Sequence, residues 1–169
     1  MATNLEFIKS ASGTSVSSLD VTDCFSADYD VYYVTGNHTS DSNSTLLVRL
    51  IDSGGSGVVS NMDFADYYLR SYTSFTDANR ATNTSYMGTL GDVVAGQKVD
   101  MGFSLYVYNP FNSGSYTFMQ SQSAGMVSSG LVGKKGIGVH KVAQSNTGLR
   151  LTRSAGTTVF IEANVYGVK

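Results

Sequence analysis

Proton transfer near neutral pH calls first for a histidine, and this 169-residue chain has only two, His38 and His140. His38 falls in the polar stretch Gly36–Asn43 and is expected to be a solvated loop residue. His140 follows Val139 in a strand-like run and, out of phase with it, is expected at the surface or in an interface. Serines are abundant, but none stands in a Gly-x-Ser-x-Gly elbow on a strand–turn–helix unit. The two glutamates, Glu6 and Glu162, lie in opposite terminal strands with no motif to make them a glycosidase pair. Asp20, Asp23, Asp28 and Asp30 could offer hard oxygens to Ca²⁺, yet their spacing is not that of an EF-hand loop, and Asp at strand ends ordinarily caps backbone donors. The lone Cys24 has no disulfide partner and no cationic neighbour to activate it, so a buried free thiol is expected. Gly130–Gly138 carries glycines and the Lys134–Lys135 pair but lacks P-loop spacing, and reads as a flexible hairpin or interface loop. No catalytic, cofactor-binding or metal-ligating residue is assigned from these patterns, and the chain is expected not to be an enzyme.

Composition points instead to surface contact. Charged residues are only 14% of the chain, and 24 Ser and 16 Thr replace them as surface builders. A net charge of −2 with 11 Lys and Arg spread thinly gives no basic stripe for nucleic acid. No apolar run reaches the length of a membrane-spanning helix, and the polar start resembles no signal peptide, so neither membrane insertion nor secretion is expected. The unusual quantity is aromatic: 11 Tyr and 8 Phe with no Trp. Tyr106 and Tyr108 fall on the face of their strand opposite the Val99–Val107 apolar row, and Tyr32 falls out of phase with Val31 and Tyr33. With Tyr166, these are expected to point outward as interface residues. Outward tyrosines can stack on glycan or anchor a subunit interface, and weak surface charge favours the interface.

The elements that must carry these residues are strands. In Val99–Tyr108 five consecutive odd positions are apolar, and Thr158–Val168 alternates likewise with Val159, Ile161, Ala163 and Val165 on one face. Shorter strand signals fall at Leu5–Lys9, Ser17–Val21, Asp30–Thr35, Leu46–Asp52, Tyr67–Thr73, Ser85–Leu90, Tyr116–Ser121, Ile137–Val142 and Leu149–Thr152. Gly and Ser punctuate them at Ser53–Gly57, Gly91–Gly96, Asn109–Gly114 and Ser128–Gly130. Ser154-Ala155-Gly156 is short enough to predict an antiparallel hairpin between the last two strands. Asn61–Tyr68 fits either a turn of helix or a bulged strand entry. The expectation is one all-β domain over residues 1–169, an antiparallel, jelly-roll-like sandwich of about 8–11 strands with little or no helix.

The opening Leu5–Val21 with Phe25–Tyr32, and the closing Gly138–Lys141, Thr147–Leu151, Gly156-Thr157 and Val165–Lys169, resemble small virion proteins of tailed phages that infect marine cyanobacteria. Asn109-Pro110 and Tyr116–Phe118 add to the likeness, while the middle of the chain carries none of it. The resemblance implies a non-enzymatic component on the outside of a virion, in the tail, at a fibre or baseplate attachment, or decorating the capsid. Made in the host cytoplasm, such a protein would associate with itself as a homo-oligomer and with other virion proteins. The alternative is a receptor-binding module that recognises host-surface glycan through tyrosines with Asn or Asp. A hydrolase of cell-wall polysaccharide ranks third, for want of a carboxylate motif.

Overall fold

A computed structural model describes residues 4–40, 44–71, 78–91 and 99–169. Two antiparallel sheets pack face to face, and no helix occurs among the described residues. The larger sheet takes β1 (Leu5–Thr14), β3 (Val31–Ser40), β5 (Met62–Arg70), β6 (Ala78–Thr84), β8 (Val99–Tyr108), β9 (Thr117–Val127), β10 (Gly130–His140) and β12 (Phe160–Val168). Its eight strands run in the order β1-β12-β3-β8-β9-β10-β5-β6. The smaller sheet has four, β2 (Ser18–Val21), β4 (Leu46–Asp52), β7 (Gly88–Gly91) and β11 (Asn146–Arg153), in the order β2-β11-β4-β7. The all-β sandwich expected from alternation is therefore present, with twelve strands among the described residues where about 8–11 are expected. The unforeseen strand is β6, whose Ala-Asn-Arg-Ala-Thr-Asn-Thr sequence has neither β-branched alternation nor burial to signal it.

The core lies between the sheets. Leu105 and Val107 on β8, Tyr32 and Val34 on β3, and Ile161, Ala163 and Val165 on β12 meet Leu50 and Val48 of β4 and Leu149 and Leu151 of β11. Period-two alternation sends each large-sheet apolar row inward and leaves the intervening residues on the solvent face.

Several local expectations change. The chain over 61–70 enters as a strand with a bulge between Met62 and Phe64, after Asn61 in a left-handed conformation (φ 59°). No hairpin joins the last two strands, because β11 pairs with β2 and β4 while β12 pairs with β1 and β3. The connection crosses from one sheet to the other: Thr158 N–H donates to Val16 C=O and Val159 N–H to Thr39 C=O, so residues that alternate like strand bridge the sandwich edge. Gly130–His140 is a full strand with Lys134 buried, not a loop. At Gly138 a Cβ would lie 1.8 Å from Met87 C=O, so the glycine is required by the close approach of the opposite sheet. The connection expected at Gly91–Gly96 lies, beyond Gly91 at the end of β7, outside the described residues, as does the end of the strand expected over Tyr67–Thr73.

Candidate functional site

Both histidines are interior. His38 is on β3, 3% exposed, with an N–H of Arg153 Nη1 directed at its Nε2 from 3.5 Å. Burial and the Arg153 charge push its pKa down to about 4. His140, at the end of β10, is fully buried; neither ring nitrogen has a hydrogen-bond partner, and burial lowers its pKa. The expectations of a loop histidine and a surface histidine are thus corrected, because both fall on the inward phase of their strands. Glu6 stands opposite Gly167 and pairs with Lys169, while Glu162 stands opposite Ser12 and accepts from Asn37 Nδ2 at 2.8 Å. Five residues of strand put them roughly 17 Å apart along the sheet, beyond the separation of paired glycosidase carboxyls.

The acidic run is dispersed into local contacts. Asp20 accepts a bidentate pair from Arg150, at 2.6 Å from both Nε and Nη2, and Asp28 accepts from Ser26 Oγ at 2.9 Å. Among the described residues no group of three His, Cys, Asp or Glu could hold a metal ion. Cys24 is buried as expected, with burial pushing its thiol up to about 12.

The tyrosines divide. Tyr32 is a core residue at 0% exposure, which corrects its assignment to an interface. Its ring packs edge-on against Phe25 at 4.7 Å, and its hydroxyl accepts from Ser26 N–H at 2.7 Å and donates to Ser26 C=O at 3.0 Å. All of Val31–Val34 is apolar or aromatic, so the sequence does not set the phase of β3; pairing of Tyr32 with Val107 and Val34 with Leu105 sets it. Tyr33, its neighbour, takes the outward place.

Tyr106, Tyr108 and Tyr166 do point to the solvent face of the large sheet, and Tyr33 joins them. Register places Tyr166, Tyr33, Tyr106, Gln120, Ile137 and Ala65 in one row across β12, β3, β8, β9, β10 and β5. Tyr33 and Tyr106 have ring centroids 4.8 Å apart, Tyr33 and Tyr166 6.5 Å, and Tyr106 and Tyr108 6.3 Å with an interplanar angle of 23°. Phe7 of β1 meets Tyr166 edge-on at 5.7 Å and extends the aromatic chain to the sheet edge. Phe118 and Ile137 expose 45% and 59% of their surface on the same face. Monomeric proteins seldom leave such a continuous apolar tract open to water.

Polar groups interleave with the rings. Tyr108 Oη donates to Gln120 Oε1 at 2.8 Å, and the next row places Asn164, Thr35, Ser104, Gln122 and Lys135 side by side. Three confluent depressions of about 810, 680 and 450 Å³ follow these rows, the first two sharing Gln120 and Ile137 and the last two Ser104 and Gln122. Charge on the face is sparse and mixed: Glu162 near one edge, Lys135 and Arg80 toward the other, and Asp63 held in an ion pair with Lys141 at 2.9 Å. Sequence reading missed Tyr33, Phe118 and Gln120; alternation in Tyr116–Ser121 held the signal for the last two, since Met119 and Ser121 take the inward phase.

No family model and no curated protein matches the chain. Among solved structures it is similar to a PL-14 alginate lyase from Aplysia kurodai, with 8% identity, a TM-score of 0.34, and 86% of this chain and 72% of that chain covered. It is similar also to a single mutant of Congerin II, with 10% identity, a TM-score of 0.32, and 92% and 99% of the two chains covered. At these identities and scores the likenesses carry no argument about this chain.

Proposed function

We propose that the chain is a non-enzymatic exterior component of a tailed-phage particle, one that acts by surface contact through the solvent face of its large sheet. The observation that carries the contact reading is the row Tyr166–Tyr33–Tyr106, continued by Tyr108 and Phe118, on a face open to solvent. Aromatic side chains combine large contact area with a polar tip, which suits a recognition surface. Placement on a particle rests on the resemblance of the two chain ends to phage virion proteins. Its neighbours there are further copies of itself and other particle proteins.

Mass spectrometry of gradient-purified particles, followed by electron microscopy with an antibody against the chain, tests this reading. The expected result is the chain in the particle and label on its exterior. Presence in the lysate but absence from purified particles would overturn it.

A further inference from the structure

We infer that the solvent face of the large sheet binds a neutral glycan strand, laid across the strands along the Tyr166–Tyr33–Tyr106–Gln120 row. This rests on the reading of that face as the working surface and names its occupant. The first argument is composition at the surface itself. Sugars present apolar C–H faces and dense hydroxyls together, and a matching site needs exposed ring planes alternating with groups that both donate and accept hydrogen bonds. Here the rings of Tyr33, Tyr106 and Tyr108 adjoin the amides of Gln120 and Gln122 and the hydroxyls of Ser104 and Thr35.

Charge supplies the second argument. Glu162, already accepting from Asn37, lies on β12, and Asp100, already accepting from Thr39 Oγ1, on β8, while Asp63, already paired with Lys141, lies with Lys135 and Arg80 at the β10–β5–β6 side. The charges are few and of both signs, Lys135 included in the row beside Gln122, so the face carries no net field that selects an anion or a cation. Shape supplies the third. The face is open and shallow, its 810, 680 and 450 Å³ depressions sharing lining residues, and at about 4.8 Å between strands the row from β12 to β5 spans roughly 24 Å. An extended ligand laid along the row would contact these depressions in turn. A second copy of the chain would bury the amides of Gln120 and Gln122, which then need partners from the facing copy.

With no Trp, intrinsic tyrosine emission includes the rings of Tyr33, Tyr106, Tyr108 and Tyr166 among the 11 Tyr of the chain. The purified chain is titrated with maltohexaose, cellohexaose and mannohexaose, with the matching disaccharides, and with a hexauronate as the anionic probe. Saturable change with at least one neutral hexasaccharide is expected, tighter by roughly tenfold than for its disaccharide because the longer chain spans the row. Tyr106→Ala and Gln120→Ala should each weaken it by about tenfold with unchanged circular dichroism, and Asp20→Ala, on the far side of the sandwich, should leave it unchanged. The inference is overturned if no neutral hexasaccharide saturates by about 10 mM, if only the hexauronate binds, or if Tyr106→Ala and Gln120→Ala are without effect. Light scattering adds a further arm: a fixed multimer dissociated by Tyr106→Ala would put a second copy on the face instead. Failure here would leave particle labelling untouched, so the two readings fail separately.

Discussion

Lys134 Nζ lies 3.8 Å from Asp66 Oδ2, with the two side chains only 3% and 1% exposed, in the space between the two sheets. Thr89 of β7 joins them: its hydroxyl accepts from Lys134 and donates to Asp66. The ammonium also sits 4.0 Å from the centre of the Tyr68 ring. Buried charge is tolerable only when paired and hydrogen-bonded, and this network ties β5 and β10 of one sheet to β7 of the other. Lys134→Met alone should destabilise the fold by about 3–5 kcal/mol, because it leaves Asp66 buried without its cation. Lys134→Met combined with Asp66→Leu should recover a large part of that loss. Urea unfolding of the single and double variants measures both quantities, and additive losses would show that the pair acts as two separate contacts.

Acid should weaken the protein through its interior histidines. In the unfolded chain each titrates near its ordinary value of about 6.5, whereas His38 is held down to about 4 by burial and Arg153, and His140 is lowered by burial. Below about pH 6.5 the unfolded chain therefore binds more protons than the fold, and stability falls with pH until the folded histidines take up their own protons. For His38 the slope reaches up to about 1.4 kcal/mol per pH unit, and His140 adds to it in the same direction. His140→Leu also removes two unpartnered ring nitrogens from the interior, so it should raise stability at pH 7 and flatten the slope below about pH 6.5. Urea midpoints that are equal at pH 7 and pH 5 in the parent protein would refute this account.

Cys24 should be inert while the protein is folded. Its thiol is pushed up to about 12 by burial, so at pH 8 roughly one molecule in 10⁴ carries the thiolate that reacts. An aromatic disulfide reagent should release almost no colour from the native protein and one equivalent after addition of denaturant. Rapid native labelling would place the thiol nearer to solvent than its 2% exposure allows.

Tyr32→Phe separates the interior tyrosine from the surface set. The change deletes the hydroxyl that clamps Ser26 at both its N–H and its C=O, and should cost about 1–2 kcal/mol. Oligosaccharide titration of this variant should match the parent, since Tyr32 is wholly buried beneath the ligand face. A loss of binding without loss of stability would reverse that assignment.

The bounds of β8 follow from alternation and those of β4 from its unbroken apolar content, and alternation gives the outward placement of Tyr106, Tyr108 and Tyr166, because their neighbours form unambiguous apolar rows. Cys24 was legible for the same reason: a small apolar residue with no activating neighbour is cheapest inside. Where both faces of a strand are apolar, as in Val31–Val34, alternation carries no sign, and only pairing with β8 sends Tyr32 in and Tyr33 out. His38, Lys134 and His140 look like surface residues by type, yet each occupies an inward position of a strand whose register is fixed by longer apolar rows. Sheet membership was likewise hidden: a short connection after Arg153 is compatible with a hairpin, and the pairing of β12 with β1 and β3 instead of β11 is settled by contacts distant in sequence. The sequence by itself determined that this is a β-sandwich with tyrosines to spare. Only the tertiary structure decided which of them share a surface, because a row across six strands is made by register between segments far apart in the chain, and no local pattern encodes it.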